Sequence, residues 1–301
     1  MHRRTAALRF TGLTIVSLMA SACASTRGSA EHDHAEPAMG GGAVAVTQPM
    51  QSSAGAPSAQ TVASRLAASP RHSEWVMVPA GPDTVRTFVV YPERSSRAPV
   101  VLVVHENIGL STWIRGVADQ LAAEGYIAIA VDLLTGKVPL EGDTMPAAAV
   151  RRVIGTLRPD DVHRQLAAVG RYGMALPAAL PRYGIVGFCW GGSTSFAHAV
   201  RSPAGLSAAV VYYGSSPDTA ALASVNAPVL GLYAGDDQRI NARIPATDSV
   251  MKRLGKTYEV HFFEGAGHGF LRGQEGRPAN AAAAERAWPL TLAFFRRHFG
   301  A

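Results

Sequence analysis

The sequence contains little cysteine and lysine, and its charge is sparse. Its 301 residues include two cysteines, and charged residues make up 17% of the chain. The formal net charge of +6 is spread along the chain, and lysine occurs only at Lys137, Lys252 and Lys256. A nucleic-acid-binding face needs clustered basic residues, so this class of partner is not expected. Hydrophobic residues reach 48%, which excludes a wholly disordered chain and allows a sizeable core.

The first 24 residues have the pattern of an export signal. Three arginines precede a short apolar run at residues 10–19, and small residues follow at 20–22. The apolar run is too short to span a membrane, which takes about 20 apolar residues. The pattern predicts a signal peptide over residues 1–24 and an exported protein.

Cys23 stands where a bacterial lipoprotein carries its acylated cysteine. The Ala-Ser-Ala-Cys sequence resembles a lipobox, with Ala20 at the position where leucine is usual. Lipidation at Cys23 predicts a membrane-anchored lipoprotein, which is the one membrane association expected of this chain. The alternative is ordinary cleavage near Ala22 or Ala24 and a periplasmic protein. If Cys23 is lipidated or removed, Cys189 is left as a lone thiol, and the mature domain has no intramolecular disulfide.

Two further segments follow the leader. Gly, Ala, Ser, Pro and Gln dominate residues 25–72 without apolar periodicity, which predicts a flexible linker. From residue 73 to residue 301 the pattern changes to β-branched apolar runs that alternate with helical periodicity. This part is predicted to be one domain.

The order of the elements predicts the fold class. Turn-forming residues at 79–83 join the first two apolar runs, which we expect to pair as a hairpin. Helical segments separate most of the later runs, which indicates parallel strands joined by crossovers. We therefore expect an α/β domain with a doubly wound, mostly parallel sheet of about eight strands and helices on both faces. The predicted strands are 74–78, 85–91, 100–104, 127–131, 183–188, 208–213, 229–233 and 260–263, and the predicted helices are 113–124, 146–155, 160–173, 192–200, 245–254 and 280–298.

A nucleophile candidate lies between a predicted strand and a predicted helix. The sequence Gly187-Phe188-Cys189-Trp190-Gly191-Gly192 matches a nucleophile elbow with cysteine in place of serine. The sharp turn requires tiny residues two positions before and two after the nucleophile, and Gly187 and Gly191 fill these positions. The following helix directs its N-terminus at the sulfur, which favours thiolate, and the backbone N–H of Trp190 can stabilise an oxyanion. A buried structural cysteine in a tight turn is the competing interpretation.

A base and an acid follow in the chain order that elbow hydrolases use. Asp236 and Asp237 come directly after one predicted strand, and His268 follows the last strand with glycine on both sides. The spacing alone does not separate the two aspartates. The carboxyl ends of parallel strands share one edge of the sheet, so these side chains are expected near Cys189.

Three blocks, at residues 105–110, 187–192 and 265–270, carry a family resemblance. With them, residues 73–298 resemble the dienelactone hydrolase family of the α/β-hydrolase fold. The resemblance implies a triad of Cys189, Asp237 and His268, because the family places its acid before the triplet Gln238-Arg239-Ile240.

The resemblance also assigns roles to three further residues. Glu106 would contact the resting thiol and help to form thiolate when substrate binds. The N–H of Asn107 would be the second oxyanion donor, and Arg272 would bind a substrate carboxylate. The family's second substrate arginine has no clear counterpart, since Ala147 stands at its place.

These features predict a cysteine-dependent hydrolase of small, anionic carboxylic esters or lactones that works through an acyl-thioester. No metal and no organic cofactor are expected. One alternative is a broad-specificity carboxylesterase without a dienelactone preference. The other is a membrane-tethered binding protein that kept the fold and lost turnover, and its signature would be a broken triad.

Overall fold

The computed structural model describes residues 55–300. The predicted signal peptide at residues 1–24, the lipidation site at Cys23 and the first part of the predicted linker, residues 25–54, lie outside the described residues. No helix in the described range is long and apolar enough to cross a membrane.

The described chain forms one eight-stranded sheet with the order β1-β2-β4-β3-β5-β6-β7-β8. β1 and β2 form the predicted antiparallel hairpin, and β2 also pairs antiparallel with β4. From β4 and β3 to β8 every neighbouring pair is parallel, as the alternation of strands and helices predicted. The strands are β1 (Ser73–Ala80), β2 (Asp83–Val90), β3 (Ala98–Val104), β4 (Ile127–Asp132), β5 (Ala179–Phe188), β6 (Leu206–Tyr212), β7 (Val229–Ala234) and β8 (Tyr258–Phe263).

Helices cover both faces of the sheet, and the core is divided between the two faces. The strands at the centre are buried on both sides, which explains their continuous apolar runs. In β3, Val101 and Val103 join a core cluster with α2 and α8, whereas Val100 and Leu102 join one with α4, α5 and α7. The helices are α1 (Val62–Ala67), α2 (Thr112–Ala123), α3 (Ala147–Val153), α4 (Pro159–Ala175), α5 (Trp190–Val200), α6 (Gln238–Asn241), α7 (Ile244–Arg253) and α8 (Pro278–Phe299).

The predicted flexible linker is wrong for residues 55–72, which we call the strap. The strap contains α1 and packs on the domain, where Val62 is 6% exposed and Ala56 is 9% exposed. Its backbone carbonyls accept hydrogen bonds from side chains far along the chain, such as the indole of Trp113. Local composition gives no indication of such distant partners, so the small and polar residues of the strap predicted a flexible linker.

Candidate active site

Cys189 lies on the sharp turn between β5 and α5. Its backbone has φ 57° and ψ −116°, a conformation that non-glycine residues rarely adopt and that marks a strained, functional turn. A side chain on Gly187 would place Cβ 2.0 Å from the carbonyl oxygen of Gly191, and one on Gly191 would place it 2.4 Å from that of His105. The glycines of the elbow motif therefore allow the turn, and the thiol is left partly exposed at its apex.

His268 and Asp237 complete a chain of three polar groups with Cys189. His268 follows β8, Asp237 follows β7, and Nδ1 of His268 lies 2.5 Å from Oδ2 of Asp237. The Cys189 side chain also raises the pKa of the imidazole, so the thiol lies within interaction range of the ring. Asp236 lies elsewhere, since its carboxylate is 2.8 Å from the guanidinium of Arg277 on the exposed surface. Geometry thus distinguishes the two aspartates that spacing left open.

These contacts favour the protonated form of His268. Partial burial acts to lower the pKa of the imidazole, but the hydrogen bonds and charges of Cys189 and Asp237 outweigh it and raise the pKa to about 9. The imidazolium form of His268 is consequently favoured at neutral pH. A protonated His268 can supply the proton that a leaving group needs.

A buried asparagine holds the loop that carries His268. The side chain of Asn280 accepts a hydrogen bond from the Gly267 N–H at 2.9 Å and donates one to the Gly273 carbonyl at 2.8 Å. One amide therefore ties both ends of the loop over residues 267–273. This role was not predicted from the sequence, in which the available signal was a polar residue in the first turn of α8.

Glu106 and Arg272 form an ion pair beside this group. Nε of Arg272 lies 2.7 Å from Oε2 of Glu106, although the N–H is not aligned for a hydrogen bond. The Glu106 side chain is 4% exposed and that of Arg272 is 41% exposed. Burial raises the pKa of Glu106, while the charge of Arg272 opposes this shift. The charged partner that the structure gives Glu106 is thus Arg272.

Tyr213 is buried beside His268, with 5.1 Å between the two ring centroids. Its backbone has a positive φ of 40°, and its hydroxyl is buried without a hydrogen-bond partner. Burial first, and then the charges of Glu106 and Cys189, raise the pKa of this phenol well above its usual range. Tyr212, the neighbouring aromatic, points into the core, where its hydroxyl bonds to Thr291.

The two oxyanion candidates follow the neighbouring strands β3 and β5. Trp190 is the first residue of α5, so its N–H belongs to the free N-terminal turn of a helix. Asn107 follows β3 and is exposed. His105 links the two regions, since its ring stacks on Trp190 at 5.4 Å and its Nδ1 donates to the Glu106 carbonyl at 2.8 Å. Burial lowers the pKa of His105 to about 4, so this imidazole is neutral.

A small apolar cluster borders this region. It packs Leu134, Val138, Met145, Val150 and Ile154 together, with Trp190 at its edge. A side chain on Gly109 would contact Val150 at 3.1 Å, so α3 lies against the turn that follows Glu106.

The first residue of α3 is Ala147, the position at which the family resemblance implied a second substrate arginine. On the same helix, Arg151 and Arg152 are exposed.

The sequence model of the dienelactone hydrolase family matches residues 85–299, which is more than two thirds of the chain. The chain belongs to the dienelactone hydrolase family. Dienelactone hydrolases have the α/β-hydrolase fold and act on ester bonds, and this chain is a hydrolase of that kind.

Individual relatives agree with the family assignment. An Escherichia coli (strain K12) protein with the provisional name carboxymethylenebutenolidase is 31% identical over 83% of this chain and 97% of its own length. A Bradyrhizobium protein, provisionally named 2-oxo-3-(5-oxofuran-2-ylidene)propanoate lactonase, is 30% identical over 75% of this chain and 94% of its own. A Klebsiella pneumoniae structure, provisionally described as a dienelactone hydrolase, has a TM-score of 0.66 and 26% identity, and the match covers 75% of this chain and 98% of that one.

Proposed function

We propose that this chain hydrolyses small carboxylic esters or lactones with Cys189 as the nucleophile, through an acyl-thioester. The observation that carries the proposal is that Cys189, His268 and Asp237 come together at the carboxyl ends of the strands, with His268 hydrogen-bonded to Asp237 and its pKa raised by Cys189. A thiol on a strained elbow beside an oriented imidazole is the arrangement that nucleophilic catalysis requires.

In the first half of the reaction, the thiolate of Cys189 attacks the ester carbonyl carbon and a C–S bond forms. The negative charge moves to the carbonyl oxygen, where the N–H groups of Trp190 and Asn107 would stabilise it. The bond to the leaving oxygen then breaks, and the imidazolium of His268 gives that oxygen its proton. With a lactone, the leaving oxygen stays attached to the acyl group.

In the second half, water hydrolyses the acyl-thioester. Neutral His268, held by Asp237, takes a proton from the attacking water, and the C–S bond breaks as the thiolate leaves. The thiolate and the imidazolium are restored, and a carboxylic acid is released. Because the histidine must act first as an acid and then as a base, its orientation by Asp237 matters in both halves.

Arg272 gives the proposal its substrate class. A guanidinium that is 41% exposed and lies next to the triad can receive a carboxylate with its planar fork. The name of the Bradyrhizobium relative describes a lactone that carries a propanoate group, which is the kind of anion this arginine would bind. We therefore infer that the preferred substrates are anionic.

Glu106 would respond to the arrival of such an anion. A substrate carboxylate at Arg272 competes with Glu106 for the same cation, and the released Glu106 is then a buried carboxylate without its partner. A carboxylate in that state is a stronger base, because burial raises its pKa and Arg272 no longer opposes the shift. It can accept the proton of any Cys189 that is still a thiol, which agrees with the role implied by the family resemblance.

The proposal is tested with purified protein and a panel of neutral aryl esters, aryl hemiesters and unsaturated lactones. We expect hydrolysis, a preference in kcat/KM for carboxylate-bearing substrates, and loss of turnover in Cys189→Ala. A preference for neutral esters would favour the broad carboxylesterase, and no hydrolysis of any member would favour the binding protein. Wild-type turnover in Cys189→Ala would refute the assignment of the nucleophile.

We also propose export of the protein with a lipid on Cys23, on the basis of the N-terminal sequence. Expression of the full chain and of Cys23→Ala in a Gram-negative host, followed by detergent partitioning, tests this. The unchanged chain should enter the detergent phase and the variant should not. Equal partitioning of both would contradict lipidation.

A further inference from the structure

The strap begins with three residues whose backbone carbonyls are each held by a side chain of the domain. The donors come from two distant parts of the chain, namely α2 and the segment after the His268 loop. The pairs are Gln120 Nε2 to the Gly55 oxygen at 2.8 Å, Gln274 Nε2 to the Ala56 oxygen at 3.3 Å and Trp113 Nε1 to the Pro57 oxygen at 3.0 Å. Three consecutive carbonyls with dedicated donors define one conformation for this part of the strap.

The strap in turn holds the main chain of Arg272. The N–H of Ala59 donates to the Arg272 carbonyl oxygen at 3.1 Å, and the Arg272 N–H donates to Gly269 at 3.1 Å. The amide of Gln274 also donates to the Leu271 oxygen at 2.9 Å, so one side chain joins the strap and the loop. The residue that contacts Glu106 is consequently fixed through its backbone from two sides.

The rest of the strap is fastened to α2. Val62 of α1 packs on Gly116, where a Cβ would lie 1.8 Å from the Val62 methyl group. Beyond α1, Arg71 forms a two-pronged ion pair with Asp119, with distances of 2.9 and 2.6 Å. The strap thus lies between a rigid helix and the loop of Arg272, and it cannot shift without breaking these contacts.

We propose that the strap is a positioning element that sets the place of Arg272, and through it the preference for carboxylate-bearing substrates. This inference rests on the proposed role of Arg272 in binding a substrate anion. The strap precedes residue 85, where the match to the family model begins, so the family pattern does not include it.

The backbone can set the place of Arg272 because the side chain has few fixed contacts of its own. Its side chain is 41% exposed, and its ion pair with Glu106 is the contact that an incoming anion would replace. During binding, the location of the guanidinium therefore depends on its backbone. Two parallel N–H bonds to a carboxylate need a fixed fork, so a displaced backbone weakens the binding of the substrate anion.

The test uses Gly116→Ala in the chain from residue 25 to residue 301. The new methyl group collides with Val62 and dislodges α1 at a point remote from the triad. The control is the double variant Val62→Ala/Gly116→Ala, in which the nearest atom of residue 62 is Cβ at 3.2 Å instead of Cγ2 at 1.8 Å, so that the collision is largely relieved. A nitrophenyl hemisuccinate supplies the anionic substrate, and nitrophenyl acetate supplies the neutral one.

In Gly116→Ala we expect the KM for the hemisuccinate to rise roughly tenfold, which corresponds to the loss of about one charge-assisted contact. The kcat for the hemisuccinate should change less than about twofold. The KM and kcat for the acetate should also change less than about twofold. The double variant should restore the hemisuccinate KM. Equal losses for both substrates, or no change for either, would overturn the proposal, because a merely structural strap would not separate the two substrates.

A second variant keeps the test decisive if Gly116→Ala fails to fold. Gln274→Met preserves side-chain length and removes both hydrogen bonds of the amide, and the exposed neighbour Glu275→Gln is its control. The same rise in KM, confined to the hemisuccinate and to Gln274→Met, is expected, and its absence overturns the proposal. Arg272→Lys with the strap intact separates the two proposals, since an unchanged hemisuccinate KM there would refute the role of Arg272 itself.

Discussion

Nε of Arg272 lies 2.7 Å from Oε2 of Glu106, so a partly exposed cation covers an almost fully buried carboxylate. The two residues lie in the segments that follow β8 and β3, and the ion pair lies beside the group of Cys189, His268 and Asp237. An exposed ion pair contributes little to stability, but the free energy of a buried carboxylate rises when its charged partner is removed. The pair is thus suited to be opened by a competing anion.

Replacement of Arg272 by lysine tests this relationship. Lysine keeps the positive charge for Glu106 but lacks the planar fork, so the KM for a carboxylate-bearing ester should rise roughly tenfold. Neutral esters should be affected much less, and the thermal midpoint should stay close to that of the unchanged protein. Steady-state kinetics with both substrates measure this, and a parallel loss for neutral esters would show that Arg272 does not bind the anion.

The two adjacent aspartates should behave very differently when each becomes asparagine. Asp237→Asn removes the charge that orients and stabilises the protonated His268, and we expect kcat to fall by on the order of 1,000-fold or more. Asp236→Asn loses a surface contact with Arg277 and serves as the matched control, with activity within about twofold of the unchanged chain. If the larger loss occurs with Asp236→Asn, the proposed triad is wrong.

The raised pKa of His268 predicts how stability depends on pH. The folded protein holds the imidazolium more tightly than the unfolded chain does, since the pKa is about 9 rather than 6.5. This stabilisation is fully present below pH 6.5, declines as the pH rises above that value, and is lost once the pH passes about 9.

Denaturant unfolding at several pH values checks this dependence, with Cys189→Ala as the comparison. Because the thiol side chain is one cause of the raised pKa, the variant should show a smaller decline between pH 6.5 and about 9. Identical pH profiles for the two proteins would contradict the contact between Cys189 and His268.

Asn280 is expected to matter for stability and for turnover. Asn280→Ala leaves the Gly267 N–H and the Gly273 carbonyl without their partner, which should cost about 1–3 kcal/mol of unfolding free energy. Because the freed loop carries His268, kcat should also fall, with neutral and anionic substrates affected alike. The comparison variant Asn280→Asp keeps the acceptor for Gly267 and should lose less. Unchanged unfolding free energy and unchanged kcat in Asn280→Ala would contradict the proposal that Asn280 holds the His268 loop.

The fold could be predicted from the sequence because its signals are local. Continuous apolar runs gave all eight strands of the described sheet, and turn residues gave the hairpin of β1 and β2. The insertion of β4 between β2 and β3 was not predicted, since the order of strands depends on tertiary pairing. The short helices α1 and α6 were missed because each has at most six residues and gains its order from packing.

The types and the chain order of the candidate site residues could be predicted from the sequence, whereas the contacts between them were harder to predict. The positions of Cys189 and His268 follow from glycine patterns after strands, whereas the ion pair of Glu106 with Arg272 joins residues 166 positions apart. The buried hydroxyl of Tyr213 could not be separated from ordinary core packing. The strap was mistaken for linker because its hydrogen-bond partners lie on α2 and beyond β8.

The most direct measurement of the central claim is labelling of the chain from residue 25 to residue 301 with iodoacetamide, with peptide mass mapping and hydrolysis of nitrophenyl acetate followed in parallel. We predict stoichiometric modification of Cys189, loss of hydrolysis in proportion to labelling, and protection by a carboxylate-bearing substrate. Full alkylation of Cys189 with hydrolysis undiminished would contradict a thiol nucleophile.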